Sequence, residues 1–200
     1  MILRSAAASP FVRKVRIATS ILGLDDRITL EPADTVNPVD TVRAQNPLGK
    51  IPALVLDDGL VLFDSRVILE YLDHVAGGGR IVPAEPKARF AALRLQALAD
   101  GLMDASILLI YEGRWRDPAK HEPKWVEHQA GKVARALASL EAAPPALDRM
   151  PSVGQIALAC ALGYQDFRFQ GTWRKDHPRL VEYLDDFAAA VPAFAATKPP

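Results

Sequence analysis

Strand-like patterning stops near residue 76 of this 200-residue chain and does not return. Before that point, short β-rich runs alternate with helix-period runs. After it, only helical spacing remains. A mixed part followed by an all-helical part predicts two domains rather than one interleaved sheet. The join falls at "AGGGR" (Ala76–Arg80) and the prolines Pro83 and Pro86, which break any continuing element.

Within the first part, Ile2-Leu3 is a short strand candidate. Ser9-Pro10 opens a run with Val12, Val15, Ala18 and Leu22 at helix spacing, and Gly23 stops it. Ile28–Glu31 is a second strand candidate, and Thr35–Gln45 is polar and ambiguous. "LVLDDGLVLF" (Leu54–Phe63) places two apolar runs around Asp-Asp-Gly, a hairpin signature. Asp64-Ser65 then precedes a helix with Ile68, Tyr71, Leu72 and Val75 on one face. The order is β-α-β-(α)-β-β-α.

The second part predicts a long helix over Lys87–Trp115 with a possible kink at Gly101, a helix over Lys124–Glu141, and a strongly apolar helix over Ser152–Phe169. A last helix carries Leu180, Leu184, Phe187 and Val191, and the tail "TKPP" reads as frayed. Ser152-Val-Gly-Gln155 is a capping box.

Composition narrows the function. Lys+Arg and Asp+Glu number 24 each, and no dense basic block invites nucleic acid or an anionic membrane surface. No apolar run approaches membrane-spanning length, and "MILRSAAASPF" lacks the basic lead and long apolar core of a signal peptide. A single cysteine, Cys160, excludes a disulfide framework within the chain and a CxxC pair; set among alanines and leucines, it reads as a buried, inert thiol. The four histidines show no metal-ligand spacing, so no metal is expected. The default is a soluble cytoplasmic protein.

Three places carry candidate chemistry. Ser9 reads first as an N-cap, whose hydroxyl accepts from the first helical turn. The same position suits a hydroxyl that stabilises an anion such as a substrate thiolate, because a helix N-terminus offers free donors and partial positive charge. Asp64-Ser65 repeats the pattern: it is a cap, or a polar pair that receives an amino group at Asp64 and a carboxylate at Ser65. "NPLGKIPAL" (Asn46–Leu54) sets Pro52 at the mouth of a core strand, where proline has no N–H for a ladder. Local sequence favours a trans proline at a strand edge, since cis is the rarer isomer. A cis bond would instead turn the Ile51 backbone outward. "YEGRWR" (Tyr111–Arg116) either caps the long helix with cations or lines a pocket between the domains.

Together, "SPFVRKVRI", "NPLGKIPAL", "LVLFDSRVILEYLD" and "DGLMDA" (Asp100–Ala105) resemble the glutathione S-transferase family over essentially the whole chain. The resemblance implies an α/β N-terminal thioredoxin-like domain (residues 1–76) that binds glutathione. It implies an all-α C-terminal helical domain (residues 86–200) that contributes the hydrophobic substrate site. It implies a cis bond before Pro52, with the Ile51 backbone pairing with the cysteinyl part of glutathione. Asp64 and Ser65 would hold the γ-glutamyl group, and Lys50 the glycine carboxylate. Asp100 would reach the γ-glutamyl amine across a homodimer interface. Ser9 would stabilise the thiolate, which attacks an electrophilic small molecule held by Phe11, Met103, Ile107, Tyr111 and Trp115, five residues chosen from helix phase.

The implied role is detoxifying transfer. The alternatives are a non-catalytic glutathione-binding or regulatory protein on the same fold, or a glutathione-dependent dehalogenase or isomerase. Two departures stand out. Some classes carry Cys at the Ser9 position and exchange disulfides, which serine cannot do. Gln155 stands where the family's helix box usually has Asp, and this bears on stability more than on activity.

Overall fold

The computed structural model describes residues 1–200. Four short strands form one mixed sheet in the order β2-β1-β3-β4: β1 (Ile2–Ser5), β2 (Thr29–Pro32), β3 (Ala53–Val55) and β4 (Val61–Leu62). β1 runs parallel to β2 and antiparallel to β3, with Leu3 opposite both Leu30 and Leu54. Parallel neighbours need a crossover, and α1 (Pro10–Leu22) supplies it. The hairpin expected over Leu54–Phe63 joins β3 and β4, pairing Leu54 with Leu62. The ambiguous stretch Thr35–Gln45 ends in a single short helix, α2 (Val42–Gln45).

α3 (Ser65–Val75) follows the sheet. The segment after it, which reads as a simple break, is pinned. Asp73 is buried and accepts from the backbone N–H groups of Gly79, Arg80 and Ile81 at 2.8, 2.9 and 2.7 Å. Ile81 and Val82 then plug into the core.

The second part is helical: α4 (Pro86–Trp115), α5 (Pro123–Ala142), α6 (Val153–Phe169), α7 (Pro178–Ala190) and α8 (Pro192–Ala196). α4 runs unbroken through Gly101 and, at 30 residues, is about 45 Å long. α6 is central, and every residue from Val153 to Gln165 is buried. Its first turn lies hard against α4: a Cβ added at Gly154 would stand 2.5 Å from the Ala92 carbonyl oxygen. Ser152 N–H donates to Gln155 Oε1 at 2.8 Å, so glutamine serves the capping box.

The two parts share one core. α1 packs on α3 from its own domain and on α6 from the other. Buried Arg13 reaches the C-terminal segment, donating from Nη2 to the Phe194 carbonyl at 2.6 Å and from Nε to Thr197 Oγ1 at 3.3 Å. The tail is therefore anchored at Thr197, not frayed from that residue as the composition of "TKPP" suggests.

Candidate active site

Ser9 is the N-cap of α1. Its Oγ accepts the Val12 N–H at 3.3 Å, and Pro10 takes the first helical position. The capping bond uses an oxygen lone pair and leaves the hydroxyl proton free to be donated elsewhere. Cap and anion stabiliser are therefore compatible readings of one side chain.

The segment opposite is shaped by Asn46. This buried side chain accepts from Leu48 N–H at 3.0 Å and donates to the Lys50 carbonyl at 2.9 Å. Gly49 takes φ +61°, in the left-handed region that suits glycine. Buried Arg4 steadies the preceding loop through Thr41, Gln45, Asp40 and the Pro32 carbonyl. The turn delivers Lys50 and Ile51 to the site. The Ile51–Pro52 bond is cis, as the family resemblance implies and against the trans isomer that local sequence favours. The Ile51 N–H and C=O make no hydrogen bond within the chain. An open N–H and C=O pair beside a sheet is able to pair with another extended main chain.

Asp64 caps α3, accepting the Arg66 N–H at 2.9 Å, and remains exposed. Ser65 is buried at the first helical position, and neither its N–H nor its hydroxyl has a partner. Free donors at a helix N-terminus beside an exposed carboxylate can hold an amino-acid head group, carboxylate at Ser65 and ammonium at Asp64.

A cavity of about 440 Å³ lies between the two domains. Ser9, Phe11, Lys50, Ile51, Ile107 and Tyr111 line it together, although they come from three separate stretches of the chain. Pro52, Asp64 and Ser65 do not line it. The Asp64 end adjoins it nonetheless: Asp104, on the cavity wall, is close enough to Asp64, Arg66 and Lys50 to feel their charges. Desolvation by its surroundings, aided by Asp100, pushes the Asp104 carboxyl above the usual carboxylate range.

Three expected site residues lie elsewhere. Met103 is fully buried in the core. It does not line the cavity, although it lies one turn before Ile107, which does. Trp115 is 60% exposed and is the last residue of α4, past the cavity wall. Asp100 is 1% exposed, with Oδ1 2.7 Å from Lys14 Nζ and Oδ2 3.1 Å from Arg66 Nε. Both oxygens are paired within its own chain, and Asp100 does not line the cavity.

Other lining residues escaped the sequence reading. Asp104 and Leu108 share the face of Ile107 and Tyr111 on α4. Arg114 lies in the stretch read as either cap or pocket. Tyr164 and Arg168 line the cavity from the end of α6. The one available signal was the i, i+4 pair Tyr164/Arg168 at the end of an otherwise apolar helix.

A thioredoxin-like domain with a helix-capping serine and an open backbone pair, joined to an all-helical domain, defines the two-domain class of fold of this chain. The family model for the glutathione S-transferase N-terminal domain matches residues 8–75, and that for the C-terminal domain matches residues 123–186. The uncharacterized GST-like protein YibF of Escherichia coli K12 is 34% identical over all of this chain and 99% of its own length. A maleylacetoacetate isomerase of Pseudomonas aeruginosa is 28% identical, covering 93% of this chain and 90% of its own. A crystal structure of a glutathione transferase family member from Pseudomonas fluorescens Pf-5, with bound glutathione, superposes with a TM-score of 0.90 at 43% identity, over 100% of this chain and 98% of that one. The chain belongs to the glutathione S-transferase family.

Proposed function

We propose that the protein binds glutathione and activates its thiol for attack on an electrophilic small molecule. The observation that carries this reading is the meeting of the free Ser9 hydroxyl, at the N-terminus of α1, with the open Ile51 backbone pair on one cavity. The bound glutathione of the 43%-identical relative supports the ligand.

In this reading Ile51 pairs with the cysteinyl main chain and so fixes the sulfur. Ser65 receives the γ-glutamyl carboxylate and Asp64 the amine. Exposed Lys50, on the cavity rim, meets the glycine carboxylate. Ser9 donates its proton to the sulfur and, with the dipole of α1, favours the thiolate. A cysteine-like thiol has a pKa of about 8.5, and lowering it by ~2 units takes roughly 2.7 kcal/mol. Phe11, Ile107 and Tyr111 supply the apolar wall for the acceptor.

A homodimer forms part of the proposal. Val67 on α3 and Phe90 on α4 are 47% and 68% exposed, and the Glu70–Arg89 pair at 3.2 Å ties these two helices together. Apolar side chains of that size on adjoining helices suit a two-fold contact.

A second reading, a glutathione-dependent isomerase, is favoured by the near full-length likeness to the maleylacetoacetate isomerase. It uses the same thiolate and differs in regenerating it.

Thiolate absorbance against pH, with glutathione bound to wild type and to Ser9→Ala, tests thiol activation. A titration midpoint raised in Ser9→Ala is expected. Superimposable curves would reject activation by Ser9 and leave a non-catalytic binding protein.

A further inference from the structure

The cavity is electrically polarised along α4. Asp104 and Arg114 both line it and stand ten residues apart, roughly 15 Å along the helix axis. Asp104 and Lys50 mark the end beside the proposed glutathione site. Arg114 and Arg168 mark the other, with the rings of Tyr111 and Tyr164.

The two arginines lack acidic partners, although Arg168 lies within hydrogen-bonding reach of the Tyr164 phenol. Arg116 pairs with Glu112, and Arg174 pairs with Asp166, but neither Arg114 nor Arg168 has a carboxylate partner. Arg168 Nε is buried with no hydrogen-bond partner at all. Each guanidinium lies by an aromatic face: Arg168 Cζ is 4.2 Å from the Phe167 ring centroid, and Arg114 Cζ is 5.2 Å from that of Tyr111. Stacking holds the plane of a guanidinium while its N–H edge stays open, the edge that matches a carboxylate. Tyr164 adds a phenolic O–H, protonated at neutral pH as phenols are, and burial raises its pKa further. A buried donor without a partner is costly, and two cations in one cleft attract an anion.

Resting on the glutathione reading, we propose that the acceptor substrate is an anion. Its carboxylate is gripped by Arg114 and Arg168, while its electrophilic carbon faces Ser9. Asp104 repels the carboxylate from the glutathione end, so the two ends together set the orientation. This departs from a purely apolar acceptor site of Phe11, Ile107 and Tyr111.

Calorimetric titration tests the proposal without requiring turnover. Three ligands are compared: glutathione, S-(4-carboxybenzyl)glutathione and its neutral isostere S-(4-carbamoylbenzyl)glutathione. The acid is expected to bind about tenfold more tightly than the amide, in line with a charge-assisted pair. That preference should fall at least threefold in Arg168→Met and in Arg114→Met. Exposed Arg114 keeps the test alive if Arg168→Met fails to fold. Equal affinity for acid and amide, or a preference that survives both substitutions, overturns the proposal while glutathione still binds. Failure of glutathione itself to bind wild type overturns the underlying reading, and this one with it.

Discussion

Lys14 Nζ stands 2.7 Å from Asp100 Oδ1, with the lysine side chain fully buried and the aspartate 1% exposed. The pair ties α1 of the sheet domain to α4 of the helical domain, directly behind the serine-capped end of α1. Its partners are unequal. Asp100 also holds Arg66, whereas Lys14 has no other carboxylate.

Asp100→Ala should therefore be the more damaging change, since it strands a buried cation. A loss of about 3–5 kcal/mol is expected, and less for Lys14→Met, which leaves Asp100 its arginine. Urea unfolding of both variants measures the order. Should Asp100→Asn leave the midpoint unchanged but weaken glutathione binding, the residue would be a ligand contact and not an interdomain tie.

Asp64 has two duties that can be separated. As the cap of α3 it contributes about 1 kcal/mol of stability; as a charged partner for an amine it contributes ~1.5–3 kcal/mol of binding. Asp64→Asn should keep the cap and lose most of the affinity, whereas Asp64→Ala should lose both. Calorimetry with glutathione, alongside thermal unfolding, distinguishes them. Wild-type affinity in folded Asp64→Asn would remove Asp64 from the site.

Gly49→Ala places a Cβ at φ +61°, 3.4 Å from Arg43 Cγ. The left-handed conformation costs a non-glycine residue roughly 1–2 kcal/mol. The turn carrying Lys50 and Ile51 should shift to escape it. A several-fold weaker dissociation constant for glutathione is expected, with the unfolding midpoint lowered only slightly. Unaltered binding would show that the turn does not position the ligand.

Cys160 should be silent. It is completely buried, and that burial pushes its thiol up to about 12, so almost no thiolate exists at neutral pH. Native protein should resist iodoacetamide and react once unfolded. Ser9→Cys, with its new thiol at a helix N-terminus on the cavity wall, should be alkylated quickly without denaturant and should gain glutathione-disulfide exchange. Mass spectrometry of the native variant reads both thiols in one experiment, and rapid native labelling at Cys160 would contradict its burial.

Much of this fold follows rules that act over a few residues. Ser9-Pro10 and Gly23 bound α1 because caps and stops are local hydrogen-bond chemistry. Asp-Asp-Gly made the β3–β4 hairpin legible, and unrelieved apolarity marked α6 as central. Four of the six cavity residues in common between sequence and structure, Ser9, Phe11, Lys50 and Ile51, sit in two short motifs: cap and turn chemistry marked Ser9 and Ile51, helix phase gave Phe11, and the family resemblance gave Lys50.

Tertiary structure decided the rest. Spacing along α4 gives a stripe but not which neighbour it meets, so Met103 went to the core and Asp104 to the cavity. Asp100 read as an open acid until α1 brought Lys14 against it. Arg168 and Tyr164 share the cavity with Ser9 because α6 packs on both α4 and α1. The sequence alone determined which elements form, since their hydrogen bonds and periods close within a few residues. Which charges are paired, which are left open, and which helix faces enclose the cavity depend on contacts between distant segments, and burial alone makes those choices energetically decisive.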